Sequence, residues 1–264
     1  MFQRVFIAAA ALCATAAQAS ISVDSAAFQY SQSFDSLATS GSALPWVNDS
    51  TLAGWSLFNK DGMALSSYAA DTGASNAGAF KSLGNAGSGE RAFGGVGSGG
   101  SYFASPASGA VAGWMAVALH NDSGAALTGV NLGFDGEQWR NGGNTSAQTL
   151  ALEYGIGADF GSVATWTAAG AGFDFSSPVI GASSGMVDGN GAGLTAGLGG
   201  SIAVAWAADE TLWLRWVEVN DAGNDHGLAI DNLSLSVSAV PEPGSSALLL
   251  AGLATIGFIV RRRA

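Results

Sequence analysis

The chain has 264 residues, of which nine are basic and twenty acidic, for a formal net charge of −11; 48% are hydrophobic and eight are tryptophan. So few Lys and Arg exclude a nucleic-acid binder held by a basic surface, and the apolar fraction with its tryptophans excludes a disordered acidic chain. The single cysteine, Cys13, excludes an internal disulfide.

Residues 1–19 read as a secretory signal peptide. Arg4 forms the charged start, an apolar run follows from Val5 to Ala17, and Ala17-Gln18-Ala19 is a small-x-small cleavage site that would leave Ser20 as the new N-terminus. The run is shorter than the about 20 residues needed to span the hydrocarbon core of a membrane. A lipoprotein signal needs a small residue before its cysteine, and Leu12 precedes Cys13. Export by the Sec machinery then yields a thiol-free protein in a disulfide-permissive compartment. Its stability must come from packing, or from metal.

Residues 20–239 form the body. It keeps five basic and nineteen acidic residues, a balance of −14, which favours cations over anions as partners. No long helical periodicity is present. Short apolar or alternating runs recur instead, at Val111–His120, Leu127–Phe134, Gln148–Ile156, Ser201–Ala207, Thr211–Val219 and Gly227–Val237, cut by Gly, Asn, Asp and Ser. In Gln148–Ile156, Leu150, Leu152, Tyr154 and Ile156 share one parity, as in a half-buried strand. Leu212, Leu214 and Trp216 line one face of the next-to-last strand and Trp213, Arg215 and Val217 the other, so neither face is plainly solvated. The pattern predicts an all-β fold, an antiparallel two-sheet β-sandwich that is jelly-roll-like. The Gly/Ala/Ser stretches Gly84–Ser101 and Gly181–Gly200 are expected to be loops.

Within the body, Gly136-Glu137-Gln138-Trp139-Arg140 is expected to follow the strand Leu127–Phe134. Two readings stay open. Trp139 offers a flat face to a sugar ring with Arg140 beside it as a ligand-binding residue, or Arg140 pairs with Glu137 and Trp139 packs at the sandwich edge. Glu90 and Arg91 are expected to form a structural ion pair. The run Asn220-Asp221-Ala222-Gly223-Asn224-Asp225-His226-Gly227, followed by Asp231, gathers oxygen donors on a tight turn. It is either a calcium ligand set using Asp221, Asp225 and Asp231 or an Asx-rich turn bonding its own backbone. His226 is expected to be solvated, and His120 to end a strand. Leu228 and Ile230 share one parity while Leu233, Leu235 and Val237 share the other. The phase switches at Asp231-Asn232, as at a β-bulge, unless the strand is buried on both faces. With two histidines and no cysteine, a zinc site of the usual composition is not expected, nor does a G-x-S-x-G elbow appear. The body is read as non-catalytic.

Phe34-Asp35-Ser36-Leu37, Gly54-Trp55 and the closing Ile230-Asp231-Asn232-Leu233-Ser234-Leu235 form a frame similar to the jelly-roll carbohydrate-binding modules of secreted glycosidases. That resemblance implies a sandwich whose opening and closing elements are neighbours, and a structural calcium shared by Asp35 and Asp231. Glu137-Gln138-Trp139-Arg140 and the region Asp221 to Asp231 also resemble exported domains of uncharacterised role.

Residues 240–264 form a tail in three parts. Val240-Pro241-Glu242-Pro243 is a stiff break, Ala247–Val260 is a hydrophobic helix of marginal spanning length, and Arg261, Arg262 and Arg263 form a cationic stop placed on the cytoplasmic side of the inner membrane. Pro241, Glu242 and Pro243 with the hydrophobic segment and arginine cluster resemble the PEP-CTERM sorting signal. The resemblance implies an exosortase as partner, a Gram-negative cell surface or extracellular matrix as destination, and transient inner-membrane anchoring. A permanent single-pass anchor is the other reading of the tail. Together the two ends and the body suggest a structural or adhesive role in an exopolysaccharide layer. The rivals are a calcium-braced carbohydrate-binding module and a glycoside hydrolase using a carboxylate pair.

Overall fold

The computed structural model describes residues 20–239. The expected signal peptide with Ala17 and Ala19, and the tail with Pro241, Glu242, Pro243, Arg261, Arg262 and Arg263, lie outside the described residues. Strands dominate the body: β1 (Ile21–Val23), β2 (Gln29–Gln32), β3 (Gly41–Pro45), β4 (Trp55–Asn59), β5 (Ser67–Asp71), β6 (Ala79–Leu83), β7 (Ala92–Val96) and β8 (Ala110–Asn121) come first. They are followed by β9 (Leu127–Asn141), β10 (Thr149–Ile156), β11 (Thr167–Ala168), β12 (Phe175–Ser176), β13 (Gly185–Met186), β14 (Leu194–Trp206), β15 (Thr211–Asn220) and β16 (Gly227–Ala239).

They build two sheets. The first centres on β8 and β15, with β10 beyond β15; β1 and β4 follow one another along the free side of β8, and β11 and β12 pair with β10. The second centres on β9 and β16. On one side β13 and β14 follow one another along β9, and on the other β7 and β2 follow one another along β16, with β6, β5 and β3 beyond. The sandwich is therefore the one expected. Its pairing is mixed rather than purely antiparallel, because β1 joins β8 and β5 joins β6 in parallel.

The core is the space between the sheets. Leu150 and Leu152 of β10 and Leu212, Leu214 and Trp216 of β15 enter it with the inward residues of β9 and β16. Trp55 stacks on Trp216 at 5.6 Å between ring centroids, and Phe34 meets Trp55 edge-on at 5.0 Å. Burying a large apolar side chain contributes roughly 1.5–3 kcal/mol. Placing Trp46, Trp55, Trp206 and Trp216 in one core explains how a body without cysteine holds together. The outer face of the first sheet carries a second cluster, in which Trp213 packs with Phe58, Phe160 and Val163. Arg215, on the same face, lies over the Trp166 ring at 3.8 Å and the Trp114 ring at 4.8 Å. Both faces of β15 are thus covered.

Two stretches expected as loops contain strands. Gly84–Ser101 holds β7, buried along its whole length, and Gly181–Gly200 holds β13 and the first half of β14. Their glycines serve close packing: Gly94 of β7 lies under Ala229 of β16, where an added Cβ would come within 2.0 Å of the Leu228 carbonyl oxygen. The strand expected to end at Phe134 continues to Asn141, so Glu137–Arg140 belongs to β9 itself.

Candidate metal centre

Along β9, Val130, Leu132 and Phe134 point into the core. Alternation puts Asp135, Glu137 and Trp139 on the outer face of the second sheet. Trp139 packs there with Ala229, Ala92 and Leu83. In β16, Leu228 and Ile230 point inward, and so do Leu233 and Leu235. The parity changes because the register with β9 shifts between Asp231 and Ser234, and Asn232 takes φ +50°. This is the bulge that the sequence phase predicts. It leaves Asp231 outward beside Glu137, while Asn232 donates from Nδ2 to Asp135 Oδ2 at 3.0 Å. Glu90, from the turn before β7, completes the group.

One ligand oxygen from each of Glu90, Glu137 and Asp231 lies within 4.8 Å of the other two. Glu90 Oε2 accepts from Asn190 Nδ2 at 2.6 Å, and Glu137 Oε2 accepts from Trp139 Nε1 at 2.8 Å. The other oxygens, Glu90 Oε1, Glu137 Oε1 and Asp231 Oδ1, are buried with no partner. Buried polar atoms in folded proteins are nearly always bonded, so three orphan oxygens in one cluster form a donor set that could hold a cation. Burial, with Trp139 opposing and Glu90, Asp231 and Asp135 adding repulsion, raises the Glu137 carboxyl to about 8. Burial also raises Asp231 to about 7, with Glu90, Asp35 and Asp135 reinforcing it. No Lys or Arg among the described residues forms an ion pair with any of the three.

The donor set fits a hard divalent cation. Oxygens bound to one calcium at 2.3–2.6 Å are at most about 5 Å apart, so the observed span admits a single ion. The chain segment 188–193 covers the cluster. Gly189 sits against the Trp139 ring, where an added Cβ would meet Cε2 at 2.3 Å, and Asn190 reaches Glu90.

Of the four aspartates expected as calcium ligands, only Asp231 belongs to this cluster. Asp35 is exposed and accepts the Arg91 backbone N–H at 2.9 Å; its charge reaches Asp231, but it is not one of the three clustered donors. Asp221 and Asp225 form the Asx turn: the Asp221 N–H donates to Asp225 Oδ1 at 2.7 Å, and Asn144 Nδ2 donates to the carbonyls of Ala222 and Asn224. His226 is buried rather than solvated. Its Nδ1 accepts the Gly142 N–H at 2.9 Å, and burial holds its pKa below the usual value. His120 lies near the end of β8, with Nδ1 3.0 Å from Thr211 Oγ1.

The expected Trp139–Arg140 sugar platform is corrected. Trp139 is fully buried because β9 runs on through it and segment 188–193 roofs it. Arg140, on the opposite parity, turns away and pairs with no acid among the described residues; its Nη1 donates to the carbonyls of Gly73 and Ala74. The expected Glu90–Arg91 ion pair is absent too. The Arg91 guanidinium donates from Nε to Ser82 Oγ and from Nη2 to the Ser82 and Asp71 carbonyls. Glu90 and Glu137 were hidden in the sequence because each is followed within three residues by an arginine that looks like its partner. The usable signal was the odd parity of Glu137 in a strand long enough to include it.

The fold and this cluster define an all-β sandwich with a buried carboxylate triad on the outer face of one sheet. Residues 239–263 match the family model of the PEP-CTERM protein-sorting motif, which marks bacterial proteins sorted to the cell surface through an exosortase and a Sec-type export system. The motif lies just beyond the sandwich and assigns the chain's route, not its activity. No curated protein matches the chain at a significant level.

Proposed function

We propose that the chain is a non-catalytic structural or adhesive protein of an extracellular polysaccharide layer, whose sandwich is braced by calcium at Glu90, Glu137 and Asp231. The observation that carries this reading is the convergence of three unpartnered, buried carboxylate oxygens from the β6–β7 turn, β9 and β16. When bound, the ion supplies charge neutralisation and a crosslink. The three side chains then tie the turn before β7 to the two central strands of the sheet. Such a brace suits a secreted domain that has no disulfide. Sorting by the PEP-CTERM motif supports a surface or matrix destination. Tail removal by exosortase would release the sandwich from the inner membrane.

The test is a thermal melt of the purified protein in EDTA and in millimolar calcium. An ion bound only by the folded state stabilises it by about 2.7 kcal/mol at a hundredfold excess over Kd. A rise of several degrees with calcium is expected. Coincident melts would overturn the brace.

A further inference from the structure

Arg140 is almost fully buried, yet its charge is unmatched. Nη1 donates to the Gly73 carbonyl at 3.0 Å and to the Ala74 carbonyl at 2.9 Å. Nε is buried without a partner, and Nη2 makes no hydrogen bond among the described residues. Nε and Nη2 together form the edge of a guanidinium that grips a carboxylate or sulfate through two parallel bonds.

Arg140 lines a cleft of about 180 Å³ whose walls include Asn76, Ser98, Ser184, Asn224 and Asp225. Asn76 and Ser184 are exposed at its rim, and four of the lining side chains, Asn76, Ser98, Ser184 and Asn224, are neutral hydrogen-bonding groups. Asp225 is the one acid among the lining residues, and its Oδ1 is engaged by the Asp221 N–H. The other cations of the body differ. Lys60, Lys81 and Arg215 each hold a carboxylate within 3 Å, and Arg91, which pairs with no acid among the described residues, bonds Ser82 and the Asp71 carbonyl through both Nε and Nη2.

We propose that this cleft is an oxyanion site, in which the Arg140 guanidinium takes one carboxylate- or sulfate-sized group, either as a free anion or carried on an acidic sugar. A buried, unpaired charge is costly, and a partner that supplies both charge and acceptors relieves that cost. The acidic remainder of the body repels anions, so binding would concentrate at this one point. The site is separate from the carboxylate triad and does not depend on it.

The experiment is a calorimetric titration of the purified protein at pH 7 and low ionic strength, in EDTA, with sodium sulfate, galacturonate, trigalacturonate and uncharged galactose. Sulfate and the uronates are expected to bind saturably and galactose not at all. Arg140→Gln and Asn76→Asp should each weaken binding at least tenfold; Asn76 is exposed, so its variant folds even if the other does not. Trigalacturonate binding tenfold tighter than sulfate supports the site with an acidic glycan as its source, and equal affinities support it with a free anion. No saturable anion binding, or binding unchanged in Asn76→Asp and in any folded Arg140→Gln, would overturn the proposal.

Discussion

Glu137 and Asp231 sit two registers apart on adjacent strands, Glu137 opposite Ala229 and Asp231 opposite Asp135, and each leaves one buried carboxylate oxygen without a partner. Diagonal neighbours on one sheet face are within reach of one another. Two acids in that relation repel unless a proton or a cation intervenes. Glu137→Gln removes one charge and one ligand. In EDTA its melting temperature should equal or exceed that of the parent, and its response to calcium should disappear. A variant that keeps the full calcium shift would remove Glu137 from the site.

The bulge at Asn232 is what delivers Asp231 to the outer face. Its φ of +50° suits Asn or Gly and opposes a β-branched residue by about 1–2 kcal/mol. Asn232→Gly should keep the calcium response and lose only the bond to Asp135. Asn232→Val should lower the melting point by several degrees and weaken calcium binding. Equal calcium affinity in the two variants would show that the bulge does not position Asp231.

Arg215 is clamped between Trp166 and Trp114 and bonds Glu153 through Nε at 2.7 Å. It pins the segment that carries Phe160 and Trp166 onto the outer face of the first sheet. Arg215→Ala should cost about 1–3 kcal/mol in urea unfolding, through the lost cation–π stack and the stranded acid. Arg215→Lys should recover only part, because an ammonium lacks the planar fork. Full recovery with lysine would mean that charge alone matters there.

Glu218 on β15 is buried, and burial pushes its carboxyl well above the ordinary value, reinforced by Asp225 and Asp221 and opposed by the Gly97 N–H and Lys81. Asp225 is raised to about 7, also chiefly by burial. A carboxyl with a raised folded-state pKa contributes stability below its unfolded pKa and loses it as pH climbs through the folded value. In EDTA the melting temperature should therefore fall between pH 5 and pH 8, and Glu218→Gln should flatten that fall. An identical slope in the variant would assign the pH dependence to other groups.

Parity carried most of what the sequence told about the fold. Leu150, Leu152 and Leu214 enter the core as alternation requires, and the phase break at Asp231-Asn232 marked a real bulge. Parity failed where glycine replaced the alternating residue. Gly94 and Gly95 in β7 and Gly199 and Gly200 in β14 read as loop, because strand propensity reflects side-chain packing and these positions have no side chain to pack. The carboxylate cluster was legible in one of its three members. Asp231 stood out by its neighbours, but Glu90 and Glu137 come from distant segments and meet only through the β9–β16–β7 pairing, which no local pattern encodes. Arg140 was singled out as a ligand residue beside Trp139, yet one residue along a strand is the opposite face. That alternation sends Trp139 under its roof and Arg140 to a cleft.

The brace is tested most directly by terbium luminescence. Trp139 donates to Glu137 Oε2 at 2.8 Å, so a lanthanide held by Glu137 lies close enough to be sensitised by tryptophan excitation. The account predicts terbium emission that saturates at one ion per chain, is displaced by calcium, and vanishes in Glu137→Gln and Asp231→Asn. Emission that persists in both variants, or no sensitised emission at all, would contradict it.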